Sequence, residues 1–285
     1  MQKIIHTEKL AENVYLMRVH APLIAEERKP GQFVVVMADT EFGERIPLTI
    51  ADADVEEGSI TLVFQAVGKS TQDLAQMKPG DKIPAVVGPL GHPTEIEKVG
   101  KVVCVAGGIG VAPLLPIAKA YREAGNEVVS IMGARSKDLV ILEERMRNVS
   151  DELTVCTDDG SYGRKGVVTE PLKEQCEQTT APDLVVAVGP AVMMRFCAET
   201  TKEYGIKTMV SLNTIMVDGT GMCGGCRVTV GGETKFVCVD GPEFDGHEVD
   251  FDELMNRLDT YRDQEQEQQT SNEENEHRCK LDEAE

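Results

Sequence analysis

Two patterns of apolar positions divide this chain. Over the first hundred residues they come as short, β-branched runs: Val14–His20, Gln32–Met37, Ile46–Ile50, Ser59–Val67 and Asp81–Val87. Pro30-Gly31, Pro79-Gly80 and Gly88-Pro-Leu-Gly91 cut these runs apart. Short runs between such turns predict strands, and several in succession predict a small antiparallel β-barrel or sandwich. Thr71–Met77 is the one short helix expected among them.

Beyond about residue 100 the pattern changes. Lys101–Ala106 is an apolar run, followed by Gly107-Gly-Ile-Gly-Val-Ala-Pro113 and an amphipathic stretch to about Ala124. Strands at Glu127–Gly133, Thr154–Thr157, Asp183–Val188 and Thr208–Leu212 then alternate with helices at about Leu142–Val149, Val167–Cys176 and Ala191–Tyr204. That alternation predicts a doubly wound parallel sheet. The expected organisation is a barrel over 1–98, an α/β domain over 99–215, a cysteine-bearing segment over 216–258 hanging off the last strand, and an acidic tail over 259–285.

Composition sharpens the picture. The 285 residues suffice for about two domains, and no apolar run approaches the ~18 residues of a membrane-spanning helix. The start, Met-Gln-Lys-Ile-Ile-His-Thr-Glu, lacks the features of a secretory signal, so a cytoplasmic location is expected. In that setting eight cysteines argue for reduced thiols and metal ligation rather than disulfides. Cys104, Cys156 and Cys197 lie in apolar or helical segments and are expected in the core. A formal charge of −20 argues against nucleic acid or an anionic membrane as partner. Much of that charge is local: Asp259–Glu285 carries ten acidic and three basic side chains, has no apolar face to bury, and is expected to be disordered beyond about Arg262, with Cys279 incidental.

The densest chemistry is D-x4-C-x2-C-x11-C, formed by Asp218, Cys223, Cys226 and Cys238. Plant-type [2Fe–2S] proteins use C-x4-C-x2-C and a distant fourth cysteine; here an aspartate stands where the first would be. Gly219-Thr-Gly-Met-Cys-Gly-Gly-Cys226 is rich in glycine, which accepts positive φ and lets a loop wrap tightly around a small inorganic group. The same residues suit a tetrahedral zinc site, and a C-x2-C pair also serves as a redox dithiol, although that use normally opens a helix.

Gly107, Gly108 and Gly110 follow a strand and open a helix, where backbone N–H groups and the helix dipole favour a phosphate. Ala112 and Pro113 stand where the rest of a G-x-G-x-x-G fingerprint would be. Ligands of such sheets bind at the carboxyl ends of the strands, where Arg135, the Asp158-Asp159 pair, Gly189 and Pro190 are also expected. Arg135 suits a phosphate and the acids suit ribose hydroxyls; a solvated turn is the plain alternative for the acids. In the barrel, Arg45-Ile-Pro47-Leu48-Thr49 sets a guanidinium near a hydroxyl, and an arginine fork suits a pyrophosphate. Gly68, Ser70 and Thr71 precede a helix and form a second phosphate-friendly turn.

With these motifs in order, the chain resembles the ferredoxin–NADP reductase superfamily, in its branch of electron-transfer subunits with a C-terminal [2Fe–2S] segment. It is most similar to the small subunit of NADH-dependent ferredoxin–NADP oxidoreductases, with the electron-transfer subunit of dihydroorotate dehydrogenase as a cousin that has four cysteine ligands. Arg45–Thr49, Gly107–Pro113, Thr157–Gly163, Gly189–Met194, Asp218 with the three cysteines, and Cys238–Phe244 carry the likeness over about residues 1–260. The resemblance implies an antiparallel β-barrel that binds FAD, with its pyrophosphate on Arg45 and Gly68–Thr71. It implies an α/β domain that binds NAD(H), NADP(H) being the alternative, over Gly108–Ala112. It further implies a cluster on Asp218, Cys223, Cys226 and Cys238, and a larger flavin/iron–sulfur partner subunit with ferredoxin served indirectly. The chain departs from the superfamily in carrying Leu48 where a tyrosine commonly faces the flavin.

No residue is expected to act as general acid or base, and the five histidines are not grouped with a nucleophile. Two other classes stay open: a zinc-stabilised nucleotide-binding module, and a free-standing flavin reductase.

Overall fold

The computed structural model describes residues 1–38 and 44–261. The acidic tail expected to be disordered beyond Arg262, with Cys279, lies outside the described residues.

The first sheet has seven strands: β1 (Gln2–Ala11), β2 (Val14–His20), β3 (Phe33–Met37), β4 (Ile46–Asp54), β5 (Ser59–Gln65), β6 (Lys82–Ile83) and β7 (Ala85–Leu90). All pairings are antiparallel, in the order β6-β1-β2-β5-β4-β3-β7. β6 and β7 stand at opposite edges, yet only Pro84 separates them, so the sheet must curl until its edges nearly meet. The expected Asp81–Val87 strand breaks there because proline has no N–H to give to a ladder. Ile4, Met17, Val34, Ile50, Ile60, Leu62 and Ile83 fill the interior, each worth roughly 1.5–3 kcal/mol on burial. Two elements escaped the sequence reading. β1 buries only Ile4 fully, so its alternation is faint. α1 (Pro22–Glu27) is a short helix whose first-turn proline presets the helical φ. α2 (Lys69–Gln76) is the expected helix, starting two residues earlier and ending one earlier than Thr71–Met77.

The second sheet is built from β8 (Lys101–Gly107), α3 (Val111–Glu123), β9 (Glu127–Ala134), α4 (Glu143–Asn148), β10 (Glu152–Thr157), β11 (Arg164–Lys165), α5 (Thr169–Cys176), β12 (Leu184–Val188), α6 (Ala191–Lys202) and β13 (Thr208–Ser211). Its strands run in the order β11-β10-β9-β8-β12-β13, all parallel. α3 and α4 cover one face with Leu114, Ile117 and Met146; α5 and α6 cover the other with Leu172, Met194 and Cys197. Cys104, Cys156 and Cys197 are buried as expected, and desolvation pushes the Cys104 and Cys197 thiols up to about 12.

The cysteine segment is more than an appendage. After a loop over 212–226 it forms the hairpin β14 (Arg227–Val230) and β15 (Glu233–Phe236), then α7 (Val237–Asp240), β16 (Glu243–Asp245) and α8 (Phe251–Leu258). Gly231 and Gly232 take φ of 60° and 78°, the left-handed pair that a two-residue hairpin turn requires. β16 pairs antiparallel with β13 and becomes the outermost strand of the second sheet. The segment's Cys226, Cys238, Phe244 and Phe251 share one core with Phe33 and Val35 of β3, which ties it to both sheets. No helix among the described residues is long and apolar enough to cross a membrane.

Candidate functional site

The strand order reverses between β8 and β12, and a cleft of about 1120 Å³ opens at the carboxyl ends of these strands, against the barrel. Such a reversal point is where open α/β sheets bind ligands. Pro47, Leu48, Thr49 and Thr71 line the barrel side. Gly107, Gly108, Gly110, Arg135, Asp158, Gly189 and Pro190 line the sheet side. At its far end the cleft reaches Asn213 and Met216, two residues before Asp218.

The glycine turn has two distinct tasks. A Cβ on Gly110 would drive into the Val188 carbonyl, and one on Gly189 would come 3.0 Å from Gly107 N, so these residues let β8 and β12 close on each other. Gly108 differs: its φ is +54° and a Cβ there would meet no protein atom within 4 Å. Its missing side chain leaves space on the cleft side, a cradle for a bulky group. A 3₁₀ turn over Gly108–Gly110 leads into α3, so unpaired N–H groups and the positive end of the dipole face the cleft. Ala112, in the first turn of α3, is buried in the core and does not line the cleft.

At the ends of β9 and β10 the charged residues part company. Arg135 and Asp158 line the cleft. Asp159 is committed to its own turn: Ser161 donates both its hydroxyl and its N–H to Oδ1, at 2.6 and 2.9 Å, which holds the carboxyl below the usual range. Arg164 is engaged by Glu174 and Glu170, which raise its pKa. Lys137 sits 5.6 Å over the Tyr162 ring.

On the barrel side Arg45 is exposed and, with Gly68 and Ser70, stands outside the cleft lining. Ser70 donates its hydroxyl to Glu44 at 2.7 Å. Thr71 Oγ1 accepts from Gly68 N and donates to Gly68 O, which locks the start of α2. The sequence reading missed Phe33, Phe64, Phe196, Asn213 and Pro242, all of which line the cleft. Only the fold brings them together, because each comes from a different element.

The cysteine loop is built around sulfur. Cys226 and Cys238 are buried with Sγ atoms 3.2 Å apart, and Cys223 is exposed. Backbone N–H groups point at the sulfurs: Gly225 N lies 3.4 Å from Cys223 Sγ, and Cys238 N lies 3.4 Å from Cys226 Sγ. Gly219, Gly221 and Gly224 all adopt positive φ. Burial, then the bond with Cys226, pushes the Cys238 thiol up to about 12, and the charge of Asp218 adds to this. The Asp218 carboxylate accepts from Thr220 N and Cys223 N, each at 2.9 Å, which holds it below its ordinary range. The Met222 N–H and the Cys223 thiol also bond to this carboxylate. Three thiols with N–H donors aimed at sulfur, beside one ionised carboxylate, fit an iron–sulfur group. Among the described residues no three His, Cys, Asp or Glu side chains gather about a single ion.

Comparison with known proteins agrees with this geometry. Residues 104–199 match the oxidoreductase NAD-binding domain family, and residues 213–250 match the iron–sulfur cluster binding domain of dihydroorotate dehydrogenase B. The chain is 52% identical to a dihydroorotate dehydrogenase B (NAD(+)) electron transfer subunit homolog of Thermotoga maritima over 93% of each chain. It is 38% identical to the electron transfer subunit of that enzyme from Bacillus caldolyticus, covering 84% of this chain and 94% of the relative. A solved structure described as NADH-dependent reduced ferredoxin-NADP oxidoreductase, studied for flavin-based electron bifurcation, superposes with a TM-score of 0.90 at 50% identity, over 95% of this chain and 97% of that one. The chain belongs to the family of electron transfer subunits of the dihydroorotate dehydrogenase B type.

Proposed function

We propose that this chain is the electron-transfer subunit of a flavin and iron–sulfur oxidoreductase, taking reducing equivalents from NADH and delivering them to a larger partner subunit. The observation that carries this reading is the single cleft that runs from Pro47–Thr49 on the barrel, past the glycine turn, to Met216 at the threshold of the cysteine loop. When bound, nicotinamide would supply a hydride, FAD the conversion from two electrons to one, and a [2Fe–2S] group a one-electron centre.

The residues divide the work by position. Pro47, Leu48 and Thr49 offer a strand edge to a flavin ring, and Leu48 gives an aliphatic rather than a stacking surface. Arg45 and the Gly68, Ser70 and Thr71 turn supply a cation and helix N–H groups for a pyrophosphate. Gly107, Gly108 and Gly110 present N–H groups to the second nucleotide, with Ala112 packing beneath, while Gly189 and Pro190 bound its far side. Asp158 and Arg135 address its ribose and phosphate. Likeness to NAD(+)-named relatives favours NAD(H) over NADP(H); of the three cations that could meet a 2′-phosphate, Arg135, Lys137 and Arg164, only Arg164 is engaged by carboxylates among the described residues. Asp218, Cys223, Cys226 and Cys238 would hold the cluster.

On this reading residues 1–98 are the FAD barrel, 99–215 the NAD domain and 216–258 the cluster segment, in a cytoplasmic protein. Met222, 89% exposed, and Val217, 55% exposed, flank the cysteine loop and offer the partner a contact. Asp218, in place of a fourth thiolate, favours a partner of the ferredoxin–NADP oxidoreductase kind over the dihydroorotate-oxidising kind. The match of residues 213–250 to an iron–sulfur cluster binding domain favours iron over zinc.

The test is anaerobic purification of the full chain with whatever subunit accompanies it. Iron, acid-labile sulfide, FAD and a flavin that bleaches on adding NADH are expected. Colourless protein carrying zinc would establish a nucleotide-binding module instead, and vigorous dye reduction with no stable companion would establish a free-standing flavin reductase.

A further inference from the structure

The strand that leaves the cysteine loop is stitched to the linker that leaves the barrel. His92 N donates to Gly241 O at 2.7 Å. Gly91 leaves room for Phe33 and Pro242, since a Cβ there would lie 2.8 Å from Phe33 Cε1 and 3.1 Å from Pro242 Cδ. Thr94 Oγ1 donates to Glu243 Oε1 at 2.6 Å, joining residues 149 apart in sequence. Gly31, at φ +83°, makes room for that bond, because a Cβ there would strike Thr94 Oγ1 and come 3.0 Å from Glu243 Oε1. One residue further along the linker, Tyr121 Oη of α3 donates to Glu95 O at 3.0 Å. The seam thus joins the barrel, the parallel sheet and the cysteine segment.

Glu243 is placed to control that seam. The preceding residue, Pro242, lines the cleft, and Cys238 lies five residues before it. Its hydrogen-bond partner among the described residues is the Thr94 hydroxyl, and no cation pairs with it there. The titratable groups that sense its charge are Cys104 on β8 and Tyr121 on α3, and burial keeps both protonated. Desolvation pushes the Glu243 carboxyl up to about 7.

We propose that Glu243 and Thr94 form a positioning pair that fixes the cysteine loop relative to the cleft, and so sets how fast electrons pass between them. The pair touches neither group. The proposal rests on the electron-transfer reading for what is positioned, but the seam itself can be tested without it.

The experiment uses the full chain with its natural complement of cofactors and partner, as parent, Glu243→Ala, Glu243→Gln and Thr94→Val. Amide hydrogen exchange over Gly241–Phe244 reports the seam. Rapid-mixing absorbance separates flavin bleaching by NADH from cluster bleaching. Glu243→Ala and Thr94→Val are expected to speed exchange in that segment and slow cluster bleaching on the order of tenfold or more, the scale on which an ångström of misplacement acts. Flavin bleaching is expected to stay within about twofold. Glu243→Gln keeps the acceptor oxygen and is expected to restore both readouts. Unchanged exchange and cluster bleaching in Thr94→Val, or equal slowing of flavin and cluster steps, would overturn the proposal. If Glu243→Ala does not accumulate, Thr94→Val carries the same outcomes. Absence of iron and sulfide from the parent would remove the functional reading, while the exchange result would still test the seam.

Discussion

Gly110 lies so close beneath Val188 that one added carbon would drive into the Val188 carbonyl oxygen, whereas Gly108, two residues earlier, faces open cleft. The two glycines should therefore fail differently. Gly110→Ala is expected to destabilise the chain by about 1–3 kcal/mol through overpacking, seen as a lower thermal midpoint. Gly108→Ala is expected to cost only about 1 kcal/mol for its left-handed φ. It should also raise KM for NADH by roughly tenfold, equivalent to ~1.4 kcal/mol of binding. Equal thermal shifts with unchanged KM would refute the division.

Asp218 supplies the one carboxylate among three thiols. A carboxylate is a harder ligand than a thiolate. Asp218→Cys is therefore expected to retain iron and acid-labile sulfide but to move the cluster's midpoint potential, read by redox titration under electron paramagnetic resonance. A midpoint identical to the parent's would remove Asp218 from the ligand set.

The Glu243 carboxyl, with an ordinary value near 4.5, is held at about 7 by burial. The folded chain therefore keeps this proton to a higher pH than the unfolded chain does. Its contribution to stability is complete below about pH 4.5 and is lost as pH rises to about 7. The loss is on the order of 3 kcal/mol for a shift of this size. Parent and Glu243→Gln should differ in the slope of denaturation free energy across that window, with the parent falling more steeply. Parallel slopes would show that Glu243 titrates normally.

Met222 projects from the cysteine loop at 89% exposure. Met222→Asp should leave the fold within about ±0.5 kcal/mol, as surface changes do. It should weaken capture of the partner subunit, measured by co-purification and sedimentation. Full retention of the partner would move its docking face elsewhere.

How much of this was legible beforehand follows from where the signals lie. β8 and β12 are unbroken apolar runs because both faces of a parallel sheet are covered, so the α/β alternation reads directly. β1 hides because only Ile4 turns fully inward. The Asp81–Val87 run conceals a corner because the break is a single residue, Pro84. The site was half visible. Glycine turns and cysteine spacing are local, and Gly107–Gly110 and Cys223–Cys226 could be found from the chain alone. Phe64 and Pro242 were not found, since each is an ordinary apolar residue until folding sets it on the cleft. The commitments of Asp159 to Ser161 and of Arg164 to Glu174 were also beyond reach, because a charged side chain shows its partner only in three dimensions.

β13 would expose a bare row of backbone donors and acceptors at the margin of its sheet if β16 did not cover Met209–Ser211. Such a margin invites other chains to add on. The polypeptide that carries the cysteines is thus also a guard against self-association. Iron-starved material, with its loop slack, should scatter more light on standing than loaded protein at the same concentration, and equal scattering would show that the guard holds without its mineral.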